Sequence, residues 1–265
     1  MTTNSSTNPF NQQQPILGVK KIIAVASGKG GVGKSTVATN LALALREFGS
    51  VGLLDADIYG PSLPRMMGAL NQKPVVSEGN KITPITRYNI KMMSIGFLVD
   101  EAAAVVWRGP MLFKAMEQFF RDVQWGELDY LIIDLPPGTG DVQLSIVQKV
   151  PVNFAVIVTT PQNISLIDAK KAMDMFERTG VKIAGVVENM SYMLNPANGE
   201  KIQLFPKGEL NSYLDAKNIT KLAEIPFNPS VSLGSEAGVP IVESHSEGVE
   251  ALCFKVLAKS LAAIQ

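Results

Sequence analysis

Ten consecutive residues, Ser27-Gly28-Lys29-Gly30-Gly31-Val32-Gly33-Lys34-Ser35-Thr36, combine glycines, lysines and hydroxyls at a spacing that suits one chemistry. Gly28, four residues, then Gly33-Lys34-Ser35 is the G-x-x-x-x-G-K-[ST] pattern of a phosphate cradle. Glycines let successive backbone N–H groups point inward around an anion with no Cβ in the way. A helix starting near Ser35 adds the positive end of its dipole. Lys34 supplies a point charge for the β- and γ-phosphates, and the Ser35 hydroxyl can ligate Mg²⁺. The alternative is a ligand-free turn. An ordinary turn needs one or two glycines, whereas four stand between residues 28 and 33. Ordering each costs about 0.5–1 kcal/mol, so a bound phosphate is the better account.

Carboxylates follow at two further places. Val51-Gly52-Leu53-Leu54 reads as a buried strand ending in Asp55-Ala56-Asp57. Alternation puts Asp55 and Asp57 on one side, at the edge of a parallel sheet where ligands bind. Metal or water positioning is the functional reading, and Asp57 capping a turn into Tyr59-Gly60-Pro61 is the plain one. Tyr130-Leu131-Ile132-Ile133-Asp134 has the form of a Walker B strand, whose acid holds Mg²⁺ directly or through water. Leu135-Pro136-Pro137-Gly138-Thr139-Gly140-Asp141 then reads as a stiff-then-flexible loop suited to sensing a γ-phosphate, or as a structural turn.

The elements that must position these groups alternate as βα units do. Ile22 to Ala26 predicts a strand and Val37 to Leu45 a helix, so the glycine loop sits between them. Short strands are expected at Lys81 to Ile85 and Ile90 to Ile95. Trp107-Arg108-Gly109-Pro110 breaks the pattern before a helix from Met111 to about Val123, with Leu112, Ala115, Met116, Phe119 and Phe120 as its core face. Strands at Phe154 to Thr159, Ile183 to Glu188 and Leu222 to Ile225 alternate with helices at Ile164 to Thr179 and Glu247 to Ile264. The expected fold is α/β, a mainly parallel doubly wound sheet of the P-loop NTPase kind, in one domain over residues 16–265. Residues 1–15 read as a disordered polar tail whose only large apolar side chain is Phe10. The last helix carries Val249, Leu252, Cys253, Val256, Leu257, Leu261 and Ile264 on one stripe. Packing on the sheet is expected of it; an amphipathic membrane anchor is the alternative.

Composition limits the partners. The 265 residues hold 24 basic and 24 acidic side chains, so no global charge draws the chain to nucleic acid or a membrane surface. No apolar run approaches the roughly 20 residues that span a bilayer. One cysteine, Cys253, excludes an intramolecular disulfide and points to the reducing cytoplasm. The one histidine, His245, lies in a polar Ser-His-Ser run and supports no catalytic triad.

With these residues in hand, the chain from about residue 16 onward resembles the Mrp/ApbC-type iron–sulfur cluster carrier ATPases, within the MinD/ParA-like group. Gly28 to Lys34 looks like that group's deviant Walker A box, with Lys29 as the early lysine. The stretches Leu54 to Ser62, Trp107 to Met111, Asp134 to Asp141 and Glu188-Asn189-Met190-Ser191-Tyr192 are similar to the Mrp branch in particular. The resemblance implies a homodimer enclosing two ATP molecules, each cradled by residues 28–36. It implies that Lys29 reaches the phosphates bound by the other subunit and that Asp57 positions the attacking water. It also implies that Ser35, Asp55 and Asp134 serve Mg²⁺, that Asn189 reads the adenine, and that Ile225-Pro226-Phe227 packs near the base. Family carriers follow the Asn-Met-Ser-Tyr segment with a C-P-x-C pair that holds a shared cluster. Here Asn195-Pro196-Ala197-Asn198-Gly199 stands in its place, so amides replace both thiolates and the usual bridging site is absent. Longer members also have an N-terminal accessory domain that this sequence lacks. Two functions follow: a cluster-assembly ATPase working with a cysteine-bearing partner or target, or an ATP-gated dimerisation switch with no cluster of its own. A P-loop metabolic kinase would leave Lys29 and the Trp107 segment unexplained.

Overall fold

In the strand around Ile22-Ile23-Ala24-Val25-Ala26 all five side chains are buried, and they alternate between two separate apolar cores. A strand apolar on both faces must be covered on both faces, which is the condition for a parallel sheet between two helical layers. The structure, a computed structural model, describes residues 13–98, 109–206 and 208–264, with backbone alone at 109–113. Residues 1–12 of the expected tail, Phe10 among them, and Trp107-Arg108 of the Mrp-like segment lie outside the described residues. Gln13 and Gln14 are held: the Gln13 amide donates to the Val147 carbonyl at 2.9 Å, and Gln14 N–H to that of Lys149 at 3.2 Å.

The chain runs β1 (Val19–Ala26), α1 (Lys34–Leu45), β2 (Val51–Asp55), α2 (Leu63–Met66), then the short strands β3 (Val75–Val76), β4 (Ile82–Thr83) and β5 (Ile85–Arg87). Next come β6 (Ile90–Ser94), α3 (Gly109–Arg121), β7 (Leu128–Asp134), α4 (Asp141–Lys149), β8 (Phe154–Thr159), α5 (Asn163–Thr179) and β9 (Lys182–Asn189). A hairpin of β10 (Met193–Leu194) and β11 (Lys201–Ile202) precedes α6 (Leu210–Lys217), β12 (Lys221–Ile225), α7 (Pro229–Glu236), α8 (Ile241–Ser244) and α9 (Val249–Ala262). Eight strands form the main sheet in the order β12-β9-β8-β1-β7-β2-β6-β5, and only β5 is antiparallel to its neighbour.

One core packs the sheet against α3 to α6 through Met116, Phe119, Ile146, Leu166 and Phe176. The other packs it against α1, α2, α8 and α9 through Leu41, Leu63, Ile241 and Phe254. The doubly wound α/β class expected from the sequence is the fold observed. Helix α9 is turned in part from its expected face. Its buried side chains are Glu250, Ala251, Phe254, Leu257, Ala258 and Leu261, so Leu257 and Leu261 of the expected stripe are buried, while Val249, Leu252 and Val256 are 43%, 44% and 60% exposed. Two apolar rows overlap on this helix, and the one carrying Phe254 between two alanines can approach α1 closely. Phe254→Ala should therefore lower stability by about 3–5 kcal/mol in urea unfolding, and Val256→Ala by less than about 0.5 kcal/mol. The reverse order would restore the face expected from the sequence.

Candidate functional site

The ends of β1, β2, β7, β9 and β12 share one edge of the sheet, and every sequence-predicted site residue lies there. Register places them: Asp55 lies beside Asp134, Asp134 beside Val25, and Ile225 beside Asn189. The glycine loop joins β1 to α1. Gly31 and Gly33 both have φ +81°, a left-handed conformation that glycine adopts without strain. A Cβ on Gly30 or Gly31 would meet nothing within 4 Å, so the loop faces open space that a side chain would fill. Gly28 answers a different demand: a Cβ there would stand 2.0 Å from the Asp168 carbonyl oxygen on α5. Helix α1 begins with Gly33 as its N-cap and has no side-chain cap, which leaves its first N–H groups to an anion.

Lys34 is buried, and its Nζ lies 2.5 Å from Asp134 Oδ1 and 3.3 Å from Ser35 Oγ. Thr36, next in the helix, accepts a 2.9 Å bond at its carbonyl from the Asn40 amide. Asp55 is fully buried, and its oxygens accept from Asp57 N–H at 3.0 Å, Leu63 N–H at 3.2 Å and Ser94 Oγ at 3.0 Å. Burial, and then the Asp134 charge, push the Asp55 carboxyl up to about 7, against the pull of Lys34 and the two N–H groups. Asp57 is half-buried; burial raises its pKa too, with Asp134 reinforcing and Lys34 opposing. Its Oδ1 accepts from Gly60 N–H at 3.3 Å, so the turn expected from the sequence forms around the same carboxylate. Three carboxylates face one lysine. Hard oxygens with surplus negative charge suit Mg²⁺ completed by phosphate oxygens. Among the described residues no group of three or more His, Cys, Asp and Glu side chains could hold a metal by itself.

Asn189 ends β9, buried, and its Nδ2 donates to the Val32 carbonyl at 2.9 Å. A Cβ on Gly33 would stand 2.2 Å from that nitrogen, so Asn189 presses directly on the cradle. Pro226 is buried just past β12, and Phe227 beside it is exposed. Lys29 is half-buried, and its ammonium makes no hydrogen bond or ion pair among the described residues. The loop after Asp134 is tethered back to the first strand, by Leu135 N–H to the Val25 carbonyl and Gly138 N–H to that of Ser27, both at 3.0 Å.

The segment 195–199 is the turn of the β10–β11 hairpin. Asn195 Oδ1 accepts from Ala197 N–H at 3.0 Å, and Asn198 Oδ1 from Glu200 N–H at 3.0 Å. Its amides close the turn by themselves. Cys253 lies half-buried on α9, its Sγ 3.6 Å from the Glu224 carbonyl oxygen, and burial pushes its thiol up. The sequence held no sign of Ser94 on Asp55 or of the Asn189–Val32 bond, both of which join residues distant in the chain.

A family model described as ParA: NUBPL iron-transfer P-loop NTPase matches residues 18–262. The chain belongs to this family. An iron–sulfur cluster carrier protein of Deinococcus radiodurans is 49% identical over 94% of this chain and 71% of its own length. The iron–sulfur cluster transfer protein NUBPL of Mus musculus is 46% identical over 94% of this chain and 79% of its own. Among solved structures, a nucleotide-binding protein of Archaeoglobus fulgidus in complex with ADP superposes with TM-score 0.76 at 39% identity, over 89% of this chain and 91% of that one. The cell-division ATPase MinD of Pyrococcus furiosus shares the fold, with TM-score 0.68 at 24% identity over 91% of this chain and 98% of its own. The resemblance read from the motifs is thus the family found, and this NUBPL-type chain has the P-loop NTPase fold expected of it.

Asp55 also sets a pH dependence. Its folded pKa of about 7 lies above the 3.8 of a free aspartate. Between these values the unfolded chain has lost the proton and the folded chain keeps it, so unfolding releases a proton. Stability of the nucleotide-free protein should fall as pH rises from about 4 to 7 and level off above. Urea midpoints at pH 5 and 7.5 should differ less for Asp55→Asn than for wild type; an equal difference would remove Asp55 as the cause.

Proposed function

We propose that this chain is a Mg²⁺-dependent ATPase that acts as a homodimer in iron–sulfur cluster assembly or transfer, in the cytoplasm, with no nucleic-acid or membrane partner. The observation that carries the reading is the buried Lys34–Asp134 pair at the mouth of an open glycine cradle, with Asp55 and Asp57 beside it. Residues 28–36 bind the phosphates, with Gly28, Gly30, Gly31, Val32 and Gly33 giving backbone N–H groups and Lys34 the charge. Ser35 and Asp134 hold Mg²⁺, and Asp55 stands behind them, its oxygens already bonded to Asp57, Leu63 and Ser94. When bound, Mg²⁺ would neutralise the charge that develops on the phosphates. Asp57, half-buried and near Lys34, orients the water that attacks the γ-phosphorus as the bond to ADP breaks. Phosphoryl transfer of this kind needs positioning and charge more than a strong base. Lys29, with its ammonium uncommitted, serves the phosphates held by the other subunit. Asn189 and Pro226 line the base end. No described helix is long and apolar enough to cross a membrane.

The relatives' names support iron–sulfur cargo, and the ADP in the Archaeoglobus protein supports the nucleotide. The cargo needs ligands from elsewhere. A dimer of this chain has two cysteines, one Cys253 from each copy, whereas clusters are typically held by four thiolates. A cysteine-bearing assembly partner or apo-target supplies the rest. The self-closed hairpin at 195–199 favours a second reading, an ATP-gated dimerisation switch that carries no cluster. Iron and acid-labile sulfide content after anaerobic reconstitution, with Cys253→Ser beside wild type, separates the two. A cluster lost in the variant supports the carrier, and none in either supports the switch.

Lys34→Ala should abolish hydrolysis, whereas Lys29→Ala should keep most ATP binding and lose turnover by a factor on the order of 10³, as for a charge supplied in trans. Phosphate release and ATP titration measure both, and wild-type turnover in Lys29→Ala would end the shared-site reading. Asn189 has one of its two amide N–H donors committed to the cradle at Val32, which leaves the other N–H and Oδ1 for a base. Asn189→Ala should weaken ATP and GTP alike, by about tenfold; a loss confined to ATP would make base reading its main role.

A further inference from the structure

The loop that follows Asp134 has a third tether, which runs to α4 and not to the glycine cradle. Gln143, third residue of α4, is 1% exposed, and its Nε2 donates to the Pro136 carbonyl. The other two tethers, Leu135 N–H to Val25 and Gly138 N–H to Ser27, run from the loop to β1 and the start of the cradle. Ser27 in turn bonds the Lys29 carbonyl through its hydroxyl at 2.8 Å. The loop thus hangs between two bodies, the cradle on one side and α4 on the other. Side-chain tethers to a main-chain carbonyl are the kind that can be broken without unfolding a strand.

The chemistry of the amide adds a second observation. Gln143 Oε1 is buried and has no hydrogen-bond partner among the described residues. A buried acceptor without a donor costs about 1–3 kcal/mol. Gly138 and Gly140 give the loop backbone freedom, since a Cβ at either would meet nothing within 4 Å. Pro136-Pro137 keeps the first half stiff, so a shift of the loop is delivered to Gln143 rather than dissipated.

We propose that Gln143 is a positioning residue: its buried amide latches the loop after Asp134 to α4, so that loop and helix respond to nucleotide as one body. Helix α4 packs on α3 and α5, and the carbonyls of Val147 and Lys149 at its far end hold Gln13 and Gln14. Movement of the loop is thereby carried along one helix to the opposite edge of the sheet. The proposal rests on the ATP-binding reading given above, and its test separates the two.

Amide hydrogen exchange is followed in wild type and Gln143→Met, which keeps the side chain's length and cannot donate, with and without ATP and Mg²⁺. Without nucleotide, exchange in residues 135–140 should rise at least tenfold in the variant while that of β1 and β7 stays unchanged. With ATP, wild type should gain protection in 135–140 and in the first turn of α4 together, and the variant in 135–140 alone. Turnover should fall tenfold or more with KM within threefold. Unchanged exchange of 135–140 in the folded variant would overturn the latch. Should Gln143→Met not fold, wild type alone decides: ATP protection of the loop without α4 overturns the proposal, and joint protection supports it. If ATP alters exchange nowhere, including residues 28–36, the nucleotide reading fails, and the nucleotide-free comparison of Gln143→Met with wild type still decides the latch.

Discussion

A buried lysine bonded to a buried aspartate is the interaction on which the site depends. Neither Lys34 nor Asp134 could be buried charged and alone, because the desolvation of either ion costs several kcal/mol. Each is therefore the condition for the other, and together they fix the start of α1 to the end of β7. The pair is also unbalanced. Asp55 and Asp57 bring two more carboxylates to one cation, and burial pushes both towards the neutral form. On the proposed reading, Lys34 would serve phosphate and Asp134 would help hold a divalent cation when these are bound. Ligand binding then takes place within a set of charges that was crowded beforehand.

The cradle is constrained from three sides and open on the fourth. Gly28 is pressed by the backbone of α5, Gly33 by the Asn189 amide, and the loop's hydroxyl partner Ser27 is tied to Gly138. Gly30 and Gly31 alone face open space. The glycines are thus not interchangeable. Two allow close approach of protein and two leave room for the anion. A loop held this way has its N–H groups aimed before any ligand arrives, so little ordering is left to oppose binding.

What could be read from the sequence was what lies close together in the chain. The glycine loop, the strand ending in Asp134 and the apolar runs of β1, β7 and β8 are local patterns, and each lies within a few residues of where it was expected. Helix α4 leaves no clear period in the sequence because DVQLSIVQK is short and rich in β-branched and polar residues. Helix α7, with Pro229 at its start, Gly234 inside it and no buried side chain, has no apolar period to find. The buried face of α9 differs in part from the expected stripe because two apolar rows compete, and only the close packing against α1 chooses between them. The bonds from Asn189 to Val32 and from Ser94 to Asp55 join residues 157 and 39 apart, and no local pattern encodes them.

The same long-range bonds relate the nucleotide end to the hairpin. Asn189 ends β9, Met190 turns the chain at φ +52°, and β10 begins at Met193. Only a few residues separate the amide that braces Val32 from the turn at 195–199, where two asparagines satisfy their own backbone. The hairpin needs no thiolate or metal to hold its shape, so its conformation is available in the protein whether or not cargo is present. Asn189 in turn cannot leave Val32 without leaving a buried carbonyl unpaired. Hairpin and cradle are thus joined by one short segment that turns sharply at Met190.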